Sequence, residues 1–158
     1  MADSIAVNLN INGELQTANI DPKTTLLQVL RQDFRLTGAK NSCNQGVCGT
    51  CSVLVDGKSL RACLSLAVAM QDREIITIEG LGDEEQLDPV QQAFIDEGAV
   101  QCGYCMPAMV ITAKSLLTSN SNPSMEEIRH AMGSNLCRCS GYVKVIDAVR
   151  RAANGATT

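Results

Sequence analysis

The chain of 158 residues combines 45% hydrophobic residues with a net charge of -4, a composition typical of one globular domain or two small ones. The chain is acidic and has no run of Lys and Arg interleaved with aromatic residues, so we do not expect it to bind nucleic acid. No apolar stretch approaches the roughly 18 residues of a membrane span and no export signal precedes the first strand, so we expect a cytoplasmic protein without a membrane span.

The first half of the chain is predicted to form strands around a single helix. Apolar and polar residues alternate near the start, and Asn12-Gly13 is a strong hairpin signal. Thr24 or Thr25 is placed to cap a helix whose apolar residues recur at helical spacing. The expected elements are a hairpin of Ile5–Ile11 and a strand returning through about Ile20, a helix of residues 26–34 that stops before Thr37-Gly38, and strands at Ser52–Val55, 60–63 and 75–78.

The second half is predicted to be helical. Residues 81–85 are mostly polar and include a glycine, so we expect a linker there between domains of residues 1–80 and 86–158. Four helices joined by short connections predict a small antiparallel bundle. The expected signals are Asp88-Pro89 as N-cap and first residue of a helix ending at Gly98, Pro107 opening a second, a capping box from Ser124, Ser140 capping a fourth, and a frayed tail of residues 153–158.

Three cysteines fall within nine residues of the first half, in the pattern C-x4-C-x2-C, and a fourth follows after eleven more residues. This is the spacing of plant-type 2Fe-2S ferredoxins. Gly46 and Gly49 permit the positive-φ backbone that turns N–H groups toward a cluster. Structural zinc usually takes two C-x2-4-C knuckles, which this triple fits poorly. The expected cluster ligands are Cys43, Cys48, Cys51 and Cys63.

Other uses of these thiols are less favoured by the sequence. Disulfides rarely persist in the cytosol. A nucleophilic cysteine would ordinarily need a nearby base, and the one histidine, His130, is expected to be a solvated residue at a helix end. A Rieske centre requires two histidine ligands and is therefore excluded.

A second set of thiols lies in the helical half, where a C-x2-C pair and a C-x-C pair are separated by 31 residues. A redox dithiol is disfavoured because a thioredoxin-like motif would sit in a βαβ setting. Spacing alone favours a second cluster and leaves zinc open as the alternative. Pro107 and Ser140-Gly141 place helix N-termini beside the sulfurs, which favours anionic ligands. The four expected ligands are Cys102, Cys105, Cys137 and Cys139.

The combined motifs closely resemble the iron-sulfur subunit of the molybdenum hydroxylases, the xanthine oxidase family. They are Cys43-x4-Cys48-Gly-x-Cys51 with Cys63, Gln101-Cys-Gly-Tyr-Cys105 and Leu136-Cys-Arg-Cys139-x-Gly-Tyr142. The resemblance spans nearly the whole chain. It implies an α+β fold, in which an N-terminal β-grasp plant-type ferredoxin domain precedes a C-terminal four-helix-bundle 2Fe-2S domain, and it implies that both sites hold 2Fe-2S clusters.

The resemblance also implies cofactors and partners. A large molybdenum-binding subunit would carry a molybdopterin cofactor, such as molybdopterin cytosine dinucleotide, and a medium subunit would carry FAD. Gln101 would hydrogen-bond the pterin, and the sulfur of Cys139 would contact its amino group. Exposed apolar residues are then expected near both clusters, and a dimer of heterotrimers is one expected assembly. This chain would relay single electrons and convert no substrate itself.

Two alternatives keep the same ligands. One is a subunit of a reductive relative, such as hydroxybenzoyl-CoA reductase, in which electrons flow inward. The other is a stand-alone iron-sulfur carrier or a zinc-stabilised adaptor. The chain also departs from the family pattern beside its cysteines: Thr50-Cys51-Ser52 stands where Ala-Cys-Thr is common, and Met106 and Ala108 stand where Thr and Gly are common.

Overall fold

A computed structural model describes residues 4–83 and 85–155. Within these ranges a mixed β-sheet is followed by a helical region, which confirms the predicted α+β class. The strands are β1 Ile5–Ile11, β2 Glu14–Ile20, β3 Ser52–Val55, β4 Lys58–Arg61 and β5 Glu74–Ile76, and the α-helices are α1 Leu26–Gln32, α2 Pro89–Asp96, α3 Met106–Ser119, α4 Met125–Met132 and α5 Tyr142–Gly155.

The five strands form one sheet in the order β2-β1-β5-β3-β4. The predicted hairpin is confirmed, because β1 and β2 pair in antiparallel register from Ile11 opposite Glu14, with Asn12 and Gly13 at positive φ in the turn. Strand β5 lies parallel to β1 and antiparallel to β3. The inward residues of the sheet pack with the apolar residues of α1, Leu26, Leu27, Val29 and Leu30, in a first hydrophobic core.

Strand β3 is buried on both of its faces. Val53 and Val55 point into the first core, and Leu54 on the opposite face is buried as well. Helix α3 packs against β3. The continuous apolar run Val53–Val55 agrees with this burial, because a strand covered on both sides needs apolar residues on both faces. As a result, one face of the sheet packs in the first core, and the opposite face contacts the helical region at β3.

Helices α2 to α5 enclose a second hydrophobic core, which includes Phe94, Met109, Ile128 and Val149. The predicted N-cap at Asp88 and the predicted capping box at Ser124 are both confirmed, at the starts of α2 and α4. Within residues 4–83 and 85–155, none of the helices is both long enough and apolar enough to cross a bilayer.

Three predicted boundaries in the first half were wrong. Helix α1 ends at Gln32, because Arg35 adopts a positive φ and the chain turns away before Phe34 can join the helix. The strand predicted at residues 60–63 ends at Arg61, which pairs with the first residue of β3, so Cys63 lies in a 3₁₀ turn, Ala62–Leu64. The strand predicted at residues 75–78 ends at Ile76.

Two predictions near the C-terminus were also wrong. Ser140 has a φ of 61°, whereas an N-cap residue needs an extended backbone, and α5 begins two residues later at Tyr142. The tail predicted to fray from residue 153 continues α5 to Gly155, with Ala153 buried. Residues 156–158 of that prediction, and Glu84 of the predicted linker, lie outside the described residues.

The capping box of α4 gives a test of the helical region. The Ser124 hydroxyl accepts a hydrogen bond from the Glu127 amide at 3.3 Å. We expect Ser124→Ala to lower the free energy of unfolding by about 1 kcal/mol, measured by chemical denaturation. Ser121→Ala, a change at an exposed serine just before the helix, is the matched control and should stay within about 0.5 kcal/mol of the wild type. Equal effects of the two substitutions would contradict the capping role.

Candidate metal centres

All eight cysteines lie among the described residues, and all are free thiols. The four predicted as a first set converge although Cys63 lies outside the loop of the other three. Together with Leu27, Lys40, Ser42 and Asn44, they line one small cavity. Cys51 and Cys63 are buried at the edge of the first core. The structure therefore brings this predicted set together.

The loop that carries the first three cysteines turns its amide groups toward sulfur. The N–H groups of Gln45 and Cys48 both donate to Cys43 Sγ at 3.4 Å. Gly46 and Gly49 have φ values of 72° and 76°, as their predicted role requires. Inward N–H donors of this kind stabilise a thiolate or an anionic cluster.

The thiols of the first site differ in acidity. Burial alone would raise the pKa of Cys48, but hydrogen bonds from the hydroxyl and backbone of Thr50 and from Cys43 lower it to about 6. Burial beside Cys63 raises the pKa of Cys51 to about 11. Cys48 is therefore ready to act as a thiolate at neutral pH, whereas Cys51 gives up its proton only when a bound cation compensates for the charge.

The second predicted set also converges, from two segments at the ends of helices. Cys102, Cys105, Cys137 and Cys139 line one small cavity together with Ala99, Gln101, Gly103, Met106 and Gly141. Cys105 is the N-cap residue of α3, and Cys139 lies shortly before α5. The expected proximity of two helix N-termini to these sulfurs is confirmed, and their positive dipole ends favour anionic ligands.

Hydrogen bonds shape the second site as they do the first. The Gly141 amide donates to Cys137 Sγ at 3.4 Å, and this bond together with the neighbouring Cys105 thiol lowers the pKa of Cys137, although burial opposes the change. The Tyr104 backbone and the Cys139 side chain lower the pKa of Cys102. Burial raises the pKa of Cys105 to about 12.

The two residues predicted to contact a pterin both lie at the second cavity. Gln101 is exposed, and in the described part of the chain its side-chain amide has no hydrogen-bond partner. Cys139 is partly exposed. Both side chains are therefore available to a group that approaches from outside.

The donor set of each cavity suits an iron-sulfur cluster. Soft thiolates bind such clusters and also zinc, and the N–H groups that donate to their sulfurs stabilise the negative charge of the bound centre. Among residues 4–83 and 85–155, no three His, Cys, Asp or Glu side chains are gathered so as to hold a single metal ion.

Three consecutive residues after α4, which we call the 134–136 strip, join the two sites. Arg61 Nη2 donates to Ser134 O at 2.6 Å, Asn135 Nδ2 donates to Gly49 O at 3.0 Å, and the Leu136 amide donates to Cys48 O at 2.9 Å. The strip thus places a ligand candidate of the first site next to one of the second, because Leu136 directly precedes Cys137.

The sequence did not reveal the role of Asn135 or Arg61. Asn135 is fully buried and its partner Gly49 lies 86 positions earlier in the chain, so no local pattern marks it. The adjacent Leu136-Cys137 motif was the only available signal. Two of the departures from the family pattern are in contact with the first site: Thr50 Oγ1 lies 3.3 Å from Cys48 Sγ, and Ser52 Oγ donates to Gly49 O at 2.6 Å.

Comparisons with known proteins agree with two iron-sulfur sites. Residues 9–75 match the family model described as a 2Fe-2S iron-sulfur cluster binding domain, and residues 77–150 match the model of a [2Fe-2S] binding domain. The chain is 46% identical over 150 residues to the nicotinate dehydrogenase small FeS subunit of Eubacterium barkeri, covering 95% of this chain and 96% of the relative.

Solved structures give the same result. A chain of quinoline 2-oxidoreductase from Pseudomonas putida 86 superimposes with a TM-score of 0.92 at 41% identity, covering 98% of this chain and 97% of that one. The aldehyde oxidoreductase from Desulfovibrio desulfuricans ATCC 27774 matches with a TM-score of 0.91 at 38% identity, covering 96% of this chain and 17% of that longer chain.

The close contact between Gly49 and the 134–136 strip can be tested by substitution. A Cβ at Gly49 would lie 2.6 Å from Ser134 O and 2.8 Å from Asn135 Nδ2, so we expect Gly49→Ala to separate the 134–136 strip from the first loop. Gly57 has the same φ of 76° but open space around it, which makes Gly57→Ala the matched control. The control should cost only the left-handed backbone strain, about 1–2 kcal/mol in denaturant unfolding. Equal losses in the two variants would contradict the close contact.

Proposed function

Because this chain belongs to the family of 2Fe-2S small subunits of the molybdenum hydroxylases, we propose that it relays single electrons between a molybdenum centre on a large partner subunit and a flavin or other acceptor. It is the iron-sulfur subunit of a multi-subunit oxidoreductase with large partner subunits. The observation that carries the proposal is the convergence of eight free thiols into two cavities of four.

We assign one 2Fe-2S cluster to each cavity. A bound cluster would accept and release one electron at a time. The chain supplies thiolate ligands, N–H donors to sulfur and helix N-termini that offset the negative charge. The proposed organisation is a β-grasp ferredoxin domain of residues 1–80, a linker of 81–85 and a four-helix-bundle domain of 86–158. Each hydrophobic core would then support its own set of four cysteines.

The chain itself offers a direct route from one site to the other. Cys48 contributes both a sulfur to the first cavity and the carbonyl that accepts the Leu136 amide at 2.9 Å. One peptide unit beyond Leu136 is Cys137, whose sulfur lines the second cavity. A path made only of covalent bonds and one hydrogen bond supports electron transfer, because it crosses no empty gap.

The surface beside the second cavity is proposed to bind the large subunit. Val100, Tyr104 and Leu136 are exposed there, with 46–54% of their surfaces accessible, and Gln101 has a free amide. We assign Gln101 to a hydrogen bond with the pterin and the Cys139 sulfur to a contact with its amino group. A molybdopterin cofactor, such as molybdopterin cytosine dinucleotide, would lie on the partner, where the substrate would also be converted.

The surface beside the first cavity is proposed to bind the electron acceptor. Val47 and Leu64 flank the first cysteines and are 64% and 63% exposed, and Leu66 lies nearby in the chain. Apolar residues this exposed next to a redox site favour a protein partner that excludes water. An FAD-binding subunit is the acceptor we propose, in a cytoplasmic heterotrimer that could form a dimer.

Metal analysis tests the two-cluster assignment directly. The full chain, purified anaerobically, is expected to contain about four Fe and about four acid-labile sulfides. The measurement is elemental analysis combined with a colorimetric sulfide assay. Zinc at about two per chain with no sulfide would overturn the assignment in favour of structural zinc sites.

Single ligand substitutions test which cysteines serve which cluster. Cys105→Ser is expected to abolish one of two paramagnetic signals of the reduced protein and to spare the other, and Cys51→Ser should do the reverse. Iron should fall from about four to about two per chain in each variant. The two variants control for each other because both cysteines are buried and both have raised pKa values. Loss of the same signal in both, or of neither, would contradict the ligand sets.

A further inference from the structure

Asn135 is a buried polar side chain that lies between the two cysteine sites and belongs to neither. Its exposed fraction is 0%, and every polar group of its side chain has a partner. Nδ2 donates to Gly49 O at 3.0 Å, while Oδ1 lies 2.8 Å from Thr112 Oγ1 and 3.1 Å from Ser134 Oγ, both hydroxyls that can donate to it. Its backbone carbonyl accepts the Tyr142 hydroxyl at 3.0 Å.

The chemistry of these partners determines the orientation of the amide. Gly49 O is a carbonyl and can only accept, so the nitrogen of Asn135 must face it. The opposite orientation would set two acceptor oxygens against each other in a buried place, which is costly. Asparagine therefore suits this position because it presents a donor on one side and an acceptor on the other.

The partners of Asn135 belong to the first cysteine loop and to both ends of the second site. Gly49 lies in the first cysteine loop, and Thr112 lies in α3, the helix capped by Cys105. The Tyr142 hydroxyl also accepts the Cys137 amide at 2.9 Å, so it joins Asn135 to the last cysteine pair. Asn135 thus links the first loop to α3 through its side chain, and to the last cysteine pair through its backbone carbonyl.

We propose that Asn135 is the positioning residue that sets the separation of the two clusters and their electronic coupling, a role that rests on the proposed electron-transfer function. By binding Gly49 O, it holds the neighbouring Leu136 amide on Cys48 O. Without it, the strip is still attached by Arg61 and by the Leu136 amide, but the central bond is lost and the loop is held less tightly against the strip. Electron tunnelling falls steeply as a path lengthens, so a small displacement here slows transfer between the sites.

The test uses the full chain with Asn135→Ala and compares it with Thr112→Val. Both substitutions remove a hydrogen bond from the same buried network, but Thr112→Val keeps the shape of the side chain and leaves the bond to Gly49 O intact. Iron and sulfide content are measured first, and the magnetic interaction between the two clusters is then read from the signal splitting and spin relaxation of the fully reduced protein. A purely structural role would lower stability in both variants without changing this interaction.

We expect both variants to retain full iron, the interaction to be lost or weakened in Asn135→Ala, and it to be unchanged in Thr112→Val. Should Asn135→Ala fail to fold, Asn135→Ser, whose hydroxyl is too short to reach Gly49 O, replaces it with the same expectation. An unchanged interaction in a fully loaded Asn135 variant, or the absence of any interaction in the wild type, would overturn the positioning role. A wild-type chain without iron would instead refute the proposed function.

Discussion

The hydrogen bonds between the 134–136 strip and the first cysteine loop are the constraint on which the two-site arrangement depends. Each hydrophobic core includes cysteines of its own set, so the relative position of the two sets depends on contacts between the two regions. Three adjacent residues supply the hydrogen bonds closest to the cysteines by binding Arg61, Gly49 and Cys48. Each such bond contributes only about 1 kcal/mol net, but leaving one buried partner unsatisfied costs more, so the group is broken only at a cumulative cost.

The packing of the helical region on the sheet also helps to bring the two cysteine sites together. Strand β3 begins immediately after the first cysteine loop and is buried between the first core and α3. Because α3 starts at Cys105, the packing of one helix on one strand already brings the two cysteine regions to the same side of the molecule. The hydrogen bonds of the 134–136 strip then fix the position of the first cysteine loop relative to the second site.

Acidity within each site is divided in a way that links metal binding to folding. Each cavity combines a thiol whose pKa is lowered by hydrogen bonds, Cys48 or Cys137, with a buried thiol whose pKa is raised, Cys51 or Cys105. The first kind loses its proton more readily and is the better thiolate donor. A metal centre held by the second kind would displace a proton, so binding would release protons and stabilise the folded chain.

The amino-acid sequence by itself determined the hairpin at Asn12-Gly13, the N-cap of α2, the capping box of α4, and the eight cysteines in two spaced sets, because these features depend on residues close together in the chain. Predictions from the sequence were wrong at two residues whose backbone conformation depends on contacts beyond their neighbours in the chain. Cys63 lies in a 3₁₀ turn rather than a strand, and Ser140 has a positive φ rather than the extended backbone of an N-cap. Only the tertiary structure decided that Gly49 must lack a side chain against Ser134, and that Asn135 is buried between the two sites. Those properties arise from partners more than eighty residues apart, which no local pattern encodes.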